Sequence, residues 1–295
     1  MKTGSVQFGH IGILGKLNHS QTIETAKNLL DILNNLDVDV AIESHLFSQL
    51  GNTVAKSMSV NHIAEHCDLV FAIGGDGSML SAGRKLAETQ VPLVGINQGR
   101  LGFLADINPN DLNTDVEPLL NGIYKEEHRF LLTAEVKHCD GTKSLGTAVN
   151  DLVLHQGEIA RMIEFEVEID GNFVYSQRSD GLIVSTPTGS TAYALSSGGP
   201  ILPPGQQSIV LVPKCPHTLS SRPLVIHSGS EIEIKFPSTN PQPAHLSFDA
   251  QNHTTLYPGD RIIVRRAEGS LKLLHPRSYD YYHVLRTKLG WGTAT

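Results

Sequence analysis

The sequence predicts an α/β plus β protein: a three-layer domain on a parallel sheet, followed by an antiparallel β domain of sandwich type. Three observations predict it. Up to about residue 125, apolar runs without polar alternation are separated by stretches of helical periodicity, the pattern of parallel strands covered on both faces. After Phe130 apolar residues alternate with charged ones, and Pro, Gly and Asn turns fall between the segments, as in antiparallel sheet. From Tyr279 the helical period returns and runs towards Gly290, a plausible stop. The expected division is residues 1–127, with a terminal helix in 278–295 returning to them, and residues 128–277 as an all-β domain.

Each element has its own signal. Phe8–Leu14 is a short apolar strand. Ser20 is placed to cap a helix whose Ile23, Ala26, Leu29, Leu30, Leu33 and Leu36 share one face. Val38, Val40 and Ile42 alternate as a strand, and Leu69–Ile73 and Val91–Ile96 are continuous apolar strands. Between the last two, Met79, Leu80, Gly83, Leu86 and Ala87 carry a helical pattern. In the second part Ile163, Phe165, Val167 and Ile169 alternate with glutamates, Asp170-Gly171 offers a tight hairpin turn, and Phe173 and Tyr175 resume the alternation. Further strands are expected at Glu231–Phe236, Ala244–Phe248, Arg261–Arg265 and Ser270–Leu274.

Composition removes several classes of function. With 295 residues, 40% of them from AVILMFWYC, the chain can bury a core, and intrinsic disorder is excluded. A net charge of −7, with no Lys/Arg run longer than two, is not the footprint of a nucleic-acid binder. The longest aliphatic runs, such as Ile209–Val212, fall far short of the roughly 20 residues of a membrane helix. Met1–Gln7 lacks the apolar stretch of a signal peptide, so a cytoplasmic protein is expected. Cys67, Cys139 and Cys215 have no CxxC spacing and are expected as buried thiols in a reducing compartment.

Two segments carry chemistry. Gly74-Gly75-Asp76-Gly77-Ser78 stands between a buried strand and a helix expected to begin near Ser78. Glycines bring bare amides close to a ligand and a helix start aims N–H groups the same way, which suits phosphate. Phosphate repels an aspartate there, so its presence points to a chemical task such as accepting a proton or holding Mg²⁺; the plainer alternative is a strand-to-helix turn with Asp76 as its cap. Better-known phosphate loops do not match. Around Gly15-Lys16, His10 stands where the first Walker glycine should be and Leu17 where the hydroxyl should be, and Gly9, Gly12 and Gly15 are not spaced GxGxxG. The second segment runs from Thr186 through Pro187, Thr188, Gly189, Ser190, Thr191, Ala192 and Tyr193 to Gly198-Gly199-Pro200. Its hydroxyls and single ring suit a sugar phosphate or nucleoside, against the alternative of a polar loop.

In order and spacing, Gly74–Gly77, Asn150-Asp151 and Asp180–Tyr193 resemble the NAD kinase family. The likeness extends over nearly the whole chain, through Leu195–Ile201 and Thr287–Trp291. The short GGDG is shared with diacylglycerol kinases and, in variant form, phosphofructokinases; the TPTGSTAY segment is the specific one. The resemblance implies a Rossmann-like first domain handling phosphate, a second recognising the dinucleotide, and a crevice between them. It implies transfer of the γ-phosphoryl group of ATP, with a divalent metal, Mg²⁺, to the 2′-hydroxyl of the adenosine ribose of NAD⁺. By the same resemblance Asp76 is the general base, and Gly74, Gly75, Gly77 and Ser78 form the phosphate loop. Asn150 and Asp151 hydrogen-bond the dinucleotide, Thr188 to Tyr193 wrap its adenosine half, and Arg161, Arg178, Asp180 and Gln251 make further contacts. Relatives most often carry glutamate where this chain has Asp151, so that shorter carboxylate must come closer or act through water. The resemblance also implies small-molecule nucleotides as partners and a homo-oligomer, dimer or tetramer.

Other residues carry less. His62 and His66, with Cys67, have a metal-like spacing but no further ligand nearby. Asn97–Leu104 leaves the end of a parallel strand, where ligand loops gather, and its Arg100 suits a phosphate or a structural ion pair. Tyr281 and Tyr282 read as packing. The competing functions are a lipid or sugar kinase sharing the glycine loop and a non-catalytic NADP(H)-binding protein.

Overall fold

A computed structural model of the chain describes residues 7–16, 19–51, 53–99, 101–157, 162–218 and 220–291. It contains two compact units: one formed by the chain up to His128 together with the chain from Leu271 onward, the other by Arg129–Ser270.

The first unit alternates strand and helix: β1 (His10–Gly15), α1 (Ser20–Asn34), β2 (Asp39–Glu43), α2 (Ser44–Leu50), β3 (Lys56–Met58), α3 (Val60–His66), β4 (Leu69–Ile73), α4 (Asp76–Leu86), β5 (Leu93–Ile96) and α5 (Leu112–Leu120). The strands pair in parallel in the order β3-β2-β1-β4-β5. Beyond β5 lies the end of the long strand Arg261–Pro276, with Leu273 beside Leu93. Ile11, Ile13, Phe71 and Ile73 pack with Ala26, Leu29 and Leu33 of α1 and Val116 and Leu119 of α5. The opposite face needs small residues: a Cβ on Gly12 would meet Ile63 of α3 at 2.5 Å. Helices on both faces explain why Ala41 is buried with Val40 and Ile42 where alternation was expected. The cap of α1 is His19, one residue before Ser20, with no side-chain bond, and α4 starts two residues before Ser78. The terminal helix, Tyr281–Leu289, is capped by Asp280 and stops at Gly290, which takes φ 66.

The second unit is a sandwich. Its strands are β6 (Tyr124–Lys137), β7 (Lys143–Ala148), β8 (Asp151–His155), β9 (Ile163–Ile169), β10 (Asn172–Ser179), β11 (Gly181–Ser185), β12 (Ser208–Lys214), β13 (Leu224–His227), β14 (Ile232–Lys235), β15 (Ala244–Phe248), β16 (Asn252–Leu256) and the first part of β17 (Arg261–Pro276). One sheet runs β13-β12-β11-β8-β15-β16, antiparallel throughout. The other holds β10-β9-β14-β17, with β6 and β7. Leu152, Leu154, Phe165, Val167, Val184, Phe236 and Leu246 fill the space between. The outer face of the first sheet is also covered: Val153, Ile183, Val210 and Val212 pack with Ala194 and Leu202. Burial on both faces is why Ile209–Val212 is an unbroken apolar run.

The β9–β10 hairpin forms at Asp170-Gly171, both with positive φ (51 and 75), as a two-residue primed turn requires. Four expectations are corrected. The register shifts between Phe173 and Tyr175, so Phe173 is exposed, and Tyr175 edges against Phe165 instead. The strands expected at Arg261–Arg265 and Ser270–Leu274 are one strand, β17, because the intervening residues keep extended pairing geometry. Of the cysteines only Cys67 is buried, its thiol pushed up to about 11 by burial and the nearby Asp68 charge; Cys139 and Cys215 are exposed. Tyr282 is exposed, its packing limited to an edge contact with Tyr281. Among the described residues no helix is long and apolar enough to cross a membrane.

Gly171 has open space around its Cα, so only backbone conformation resists a side chain there. Gly171→Ala should cost about 1–2 kcal/mol, the penalty of a left-handed alanine, read as a lowered urea midpoint at constant m-value.

Candidate functional site

The strand order of the first unit sets where ligands meet it. The chain runs from β1 outward to β2 and β3, then crosses back to β4 and β5, so the order reverses between β1 and β4. In open parallel sheets ligands bind outside the carboxyl ends of the strands at such a point. The two loops leaving these ends are Gly15-Lys16 and Gly74–Gly77, joined by the Lys16 amide donating to the Ile73 carbonyl at 3.2 Å. Gly74 must be glycine because a Cβ would lie 2.3 Å from the Ser78 hydroxyl. Gly75 caps α4. A cavity of about 460 Å³ opens here, lined by Gly15, Lys16, Glu43, Gly75, Gly77, Ser78, Ser81 and Lys85 among others. Two ammonium groups, a helix N-terminus and small residues make a place for phosphate. Lys16 was passed over in the sequence because it belongs to no complete Walker pattern; the parallel pairing of β1 with β4 brings it to the glycine loop.

Asp76 is the first residue of α4, not its cap, and is half-buried. Its carboxylate accepts hydrogen bonds from the Phe103 amide and the Leu104 amide, both at 3.0 Å. These amides sit on the excursion that leaves β5 at Asn97 and returns at Ile107, closed at its neck by Asn97 N–H to Ile107 O and Ile107 N–H to Gly95 O. The excursion is moulded round the carboxylate: a Cβ on Gly102 would lie 2.3 Å from Asp76 Oδ1. Two amides use only part of the carboxylate's accepting capacity, leaving it able to take a proton from a ligand hydroxyl.

In the second unit the Asn150-Asp151 step and the Thr186–Tyr193 segment are bound together. Asn150 O accepts from the Thr186 amide at 2.9 Å, and Thr186 Oγ1 donates to Val149 O at 2.7 Å. Gly189 passes so close to Asn150 O that a Cβ would sit 2.3 Å from it. Asn150, Asp151, Ala192 and Tyr193 line one cavity of about 360 Å³, with His155, Lys214, Ser247 and Asp249. Tyr193 exposes its ring there, with Lys214 Nζ 5.0 Å from the centroid. Most other hydroxyls of the segment serve the loop itself. Ser190, fully buried, donates to Pro187 O and accepts from the Leu202 amide. Thr188 accepts from Arg129, and Thr191 donates to Thr188 O.

A residue missed in the sequence organises this step. Asp249 accepts the amides of Val149 (3.0 Å), Asn150 (2.7 Å) and Asp151 (3.2 Å). It and Ala250 hold left-handed backbone (φ 51 and 53) in the β15–β16 turn, strain of the kind that gathers at ligand sites. Its one visible signal is its place two residues before Gln251.

Not every predicted residue joins these cavities. Gly74, Asp76, Arg178, Asp180, Thr188, Gly189, Ser190, Thr191 and Gln251 line neither, although Asp76 stands between Gly75 and Gly77 of the first, and Arg161 and Arg100 lie outside the described residues. His62 and His66 are tied into α3, through Ser59 and the His62 carbonyl. Among the described residues no group of three or more His, Cys, Asp or Glu side chains is arranged to hold a metal.

Comparison with known proteins bears on both units. Residues 11–124 match the family description "ATP-NAD kinase N-terminal domain" and residues 149–276 "ATP-NAD kinase C-terminal domain". The NAD kinase of Chromohalobacter salexigens is 49% identical over 97% of this chain and 98% of its own. That of Shewanella loihica is 48% identical over 98% and 99%. Among solved structures, yeast NADH kinase complexed with NADH has a TM-score of 0.89 at 25% identity, covering 97% of this chain and 88% of that one. An Archaeoglobus fulgidus NAD kinase in complex with ATP shares the fold, with a TM-score of 0.72 at 22% identity over 96% and 98%.

The second cavity has a pH signature. Burial, reinforced by the neighbouring Asp249 charge, pushes the Asp151 carboxyl up to about 7. A carboxyl that binds its proton more tightly when folded makes the fold less stable as pH rises from its unfolded value near 4 to about 7. Asp151→Asn removes this loss. The stability gained by the variant at pH 8 should exceed that at pH 5.5 by on the order of 2 kcal/mol, measured as urea midpoints; equal gains at both values would show an ionised Asp151 throughout.

Proposed function

The chain belongs to the NAD kinase family, and from that premise we propose how its residues carry the γ-phosphoryl group of ATP to the 2′-hydroxyl of the adenosine ribose of NAD⁺. The product is NADP⁺. The observation that carries the reading is the Asp76 carboxylate, fixed by two backbone amides at the first turn of α4, beside a lysine-lined cavity.

A ribose hydroxyl is too weak an acid to surrender its proton to a carboxylate in the ground state. Asp76 therefore orients the hydroxyl and accepts the proton as the new O–P bond forms. General-base help of this kind is worth about 10²–10⁴-fold, and the remaining acceleration comes from alignment and from charge stabilisation. The N-terminus of α4 and the ammonium groups of Lys16 and Lys85 supply the second of these to the donor's phosphates. A divalent cation, Mg²⁺, would be brought by the donor and would supply neutralisation of phosphate charge when bound. In the second unit, Asn150, Asp151, Ala192 and Tyr193 receive the dinucleotide: the amide and carboxyl meet sugar hydroxyls, and the Tyr193 ring offers a flat face. Thr188, Gly189 and Ser190 hold that wall in shape. The proposal includes a cytoplasmic homo-oligomer as the working form, the expectation drawn from the sequence.

A glycerolipid or a simple sugar as acceptor is disfavoured by the polar lining and exposed ring of the second cavity. Purified protein with ATP, Mg²⁺ and NAD⁺ should form NADP⁺, and diacylglycerol should give no product. Asp76→Asn should cut kcat at least about 10²-fold in a chain that still folds, its urea midpoint lowered because the side-chain amide offers one oxygen to the two N–H groups of Phe103 and Leu104; wild-type turnover would remove Asp76 as the base. Lys16→Ala should raise the KM for ATP about tenfold while moving the KM for NAD⁺ little, since one charge-assisted contact to phosphate is worth roughly 1.5–3 kcal/mol.

A further inference from the structure

One buried ionic cluster in the first unit has no part in the reaction as described. His275, near the end of β17, is 1% exposed. Its Nδ1 lies 3.1 Å from Asp106 Oδ2 and its Nε2 3.2 Å from Glu127 Oε2, and its ring stacks on Tyr279 at 3.9 Å and 8°. Only a ring protonated on both nitrogens donates to two carboxylates at once, so the geometry calls for an imidazolium. Burial alone opposes that charge, but hydrogen bonds to Asp106 and Glu127 and the attraction of their charges outweigh it, and the affinity for the proton is raised.

Asp106 ties this cluster to the site. It is the residue before Ile107, where the excursion from β5 ends, and two residues after Leu104. The excursion is held at its neck by the Asn97–Ile107 bond and at its tip by Phe103 and Leu104 on the Asp76 carboxylate. It lies directly on the sheet: a Cβ on Gly95 would come within 2.6 Å of Leu104 O and Ala105 Cα. A shift at Asp106 is therefore a shift of the amides that aim Asp76.

We propose that His275 is a positioning residue for Asp76: bridging Asp106 to Glu127, it fixes the excursion whose Phe103 and Leu104 amides orient the catalytic carboxylate. Loss of the bridge leaves Asp76 chemically intact but free to turn from the hydroxyl. A misalignment of about 1 Å can cost about 10²-fold in rate, so the effect falls on kcat. The proposal rests on Asp76 as the base.

The test is a double-mutant cycle on the full chain, with ATP, Mg²⁺ and NAD⁺ as substrates. His275→Gln, which donates through one nitrogen only, should lower kcat tenfold or more while both KM values stay within about threefold. The double variant His275→Gln/Asp76→Asn should be no slower than Asp76→Asn alone, because an aimed group that is absent cannot be misaimed. Val40→Ala, a core change on β2, serves as a variant of comparable stability and should keep wild-type kcat. If His275→Gln does not fold, Asp106→Asn takes its place in the cycle with the same expectations. Multiplicative losses in the double variant, wild-type kcat in a folded His275→Gln, or an equal loss in Val40→Ala would each overturn the positioning role and leave the base intact. Wild-type turnover in Asp76→Asn would overturn both.

Discussion

Backbone amides gathered on carboxylates hold both ligand loops of this chain in place. Loops lack the ladder bonds of strands, yet their N–H groups need acceptors once they leave water. A carboxylate takes several at once, and each charge-assisted bond is worth roughly 1.5–3 kcal/mol. Asp76 collects Phe103 and Leu104, and Asp249 collects Val149, Asn150 and Asp151. In each case a short acidic side chain turns a flexible segment into a rigid wall. Asp260 does the same for Cys139 and Tyr257 away from either cavity, so the device is structural wherever it occurs.

The two ligand loops differ in how their charge is managed. The cavity beside Gly75 sets Lys16, Lys85 and the start of α4 against the single carboxylate of Glu43 among its lining residues. The cavity of the second unit places Asp151 beside Asp249, both of them buried. That pair is unfavourable when both are ionised, and Asp249 and Ala250 add left-handed backbone to the cost. A ligand whose hydroxyls donate to Asp151 would relieve part of this. Strain of this sort persists where surrounding structure over-determines it, here through three amides and a paired strand on either side, β15 and β16.

Close approach, more than turning, accounts for the glycines that matter. Gly12 lets α3 onto the sheet, Gly95 lets the excursion lie on β5, Gly102 admits the Asp76 carboxylate and Gly189 touches the Asn150 carbonyl. Each would bring a Cβ within 2.6 Å of another atom, so none tolerates alanine without movement. Only Asp170-Gly171 was readable as a turn from its own dipeptide.

The alternation of unbroken and period-two apolar runs determined the two-part architecture, because side-chain burial in a strand or helix depends on near neighbours along the chain. The two ligand segments were legible for the same reason: Gly74–Ser78 and Thr186–Tyr193 each carry their chemistry within one short stretch. Tertiary structure alone decided Lys16, Asp249 and the His275 bridge. Their partners stand far off in the chain, Asp106 to His275 being separated by 169 positions and Asn150 to Asp249 by 99. It also decided that β17 runs unbroken and that Phe173 turns outward, since a strand's continuity and register follow from the neighbours it pairs with. A hydrogen bond or a buried charge pair depends on distance in space, and in a sheet protein that distance is set by strand order, which local periodicity does not contain.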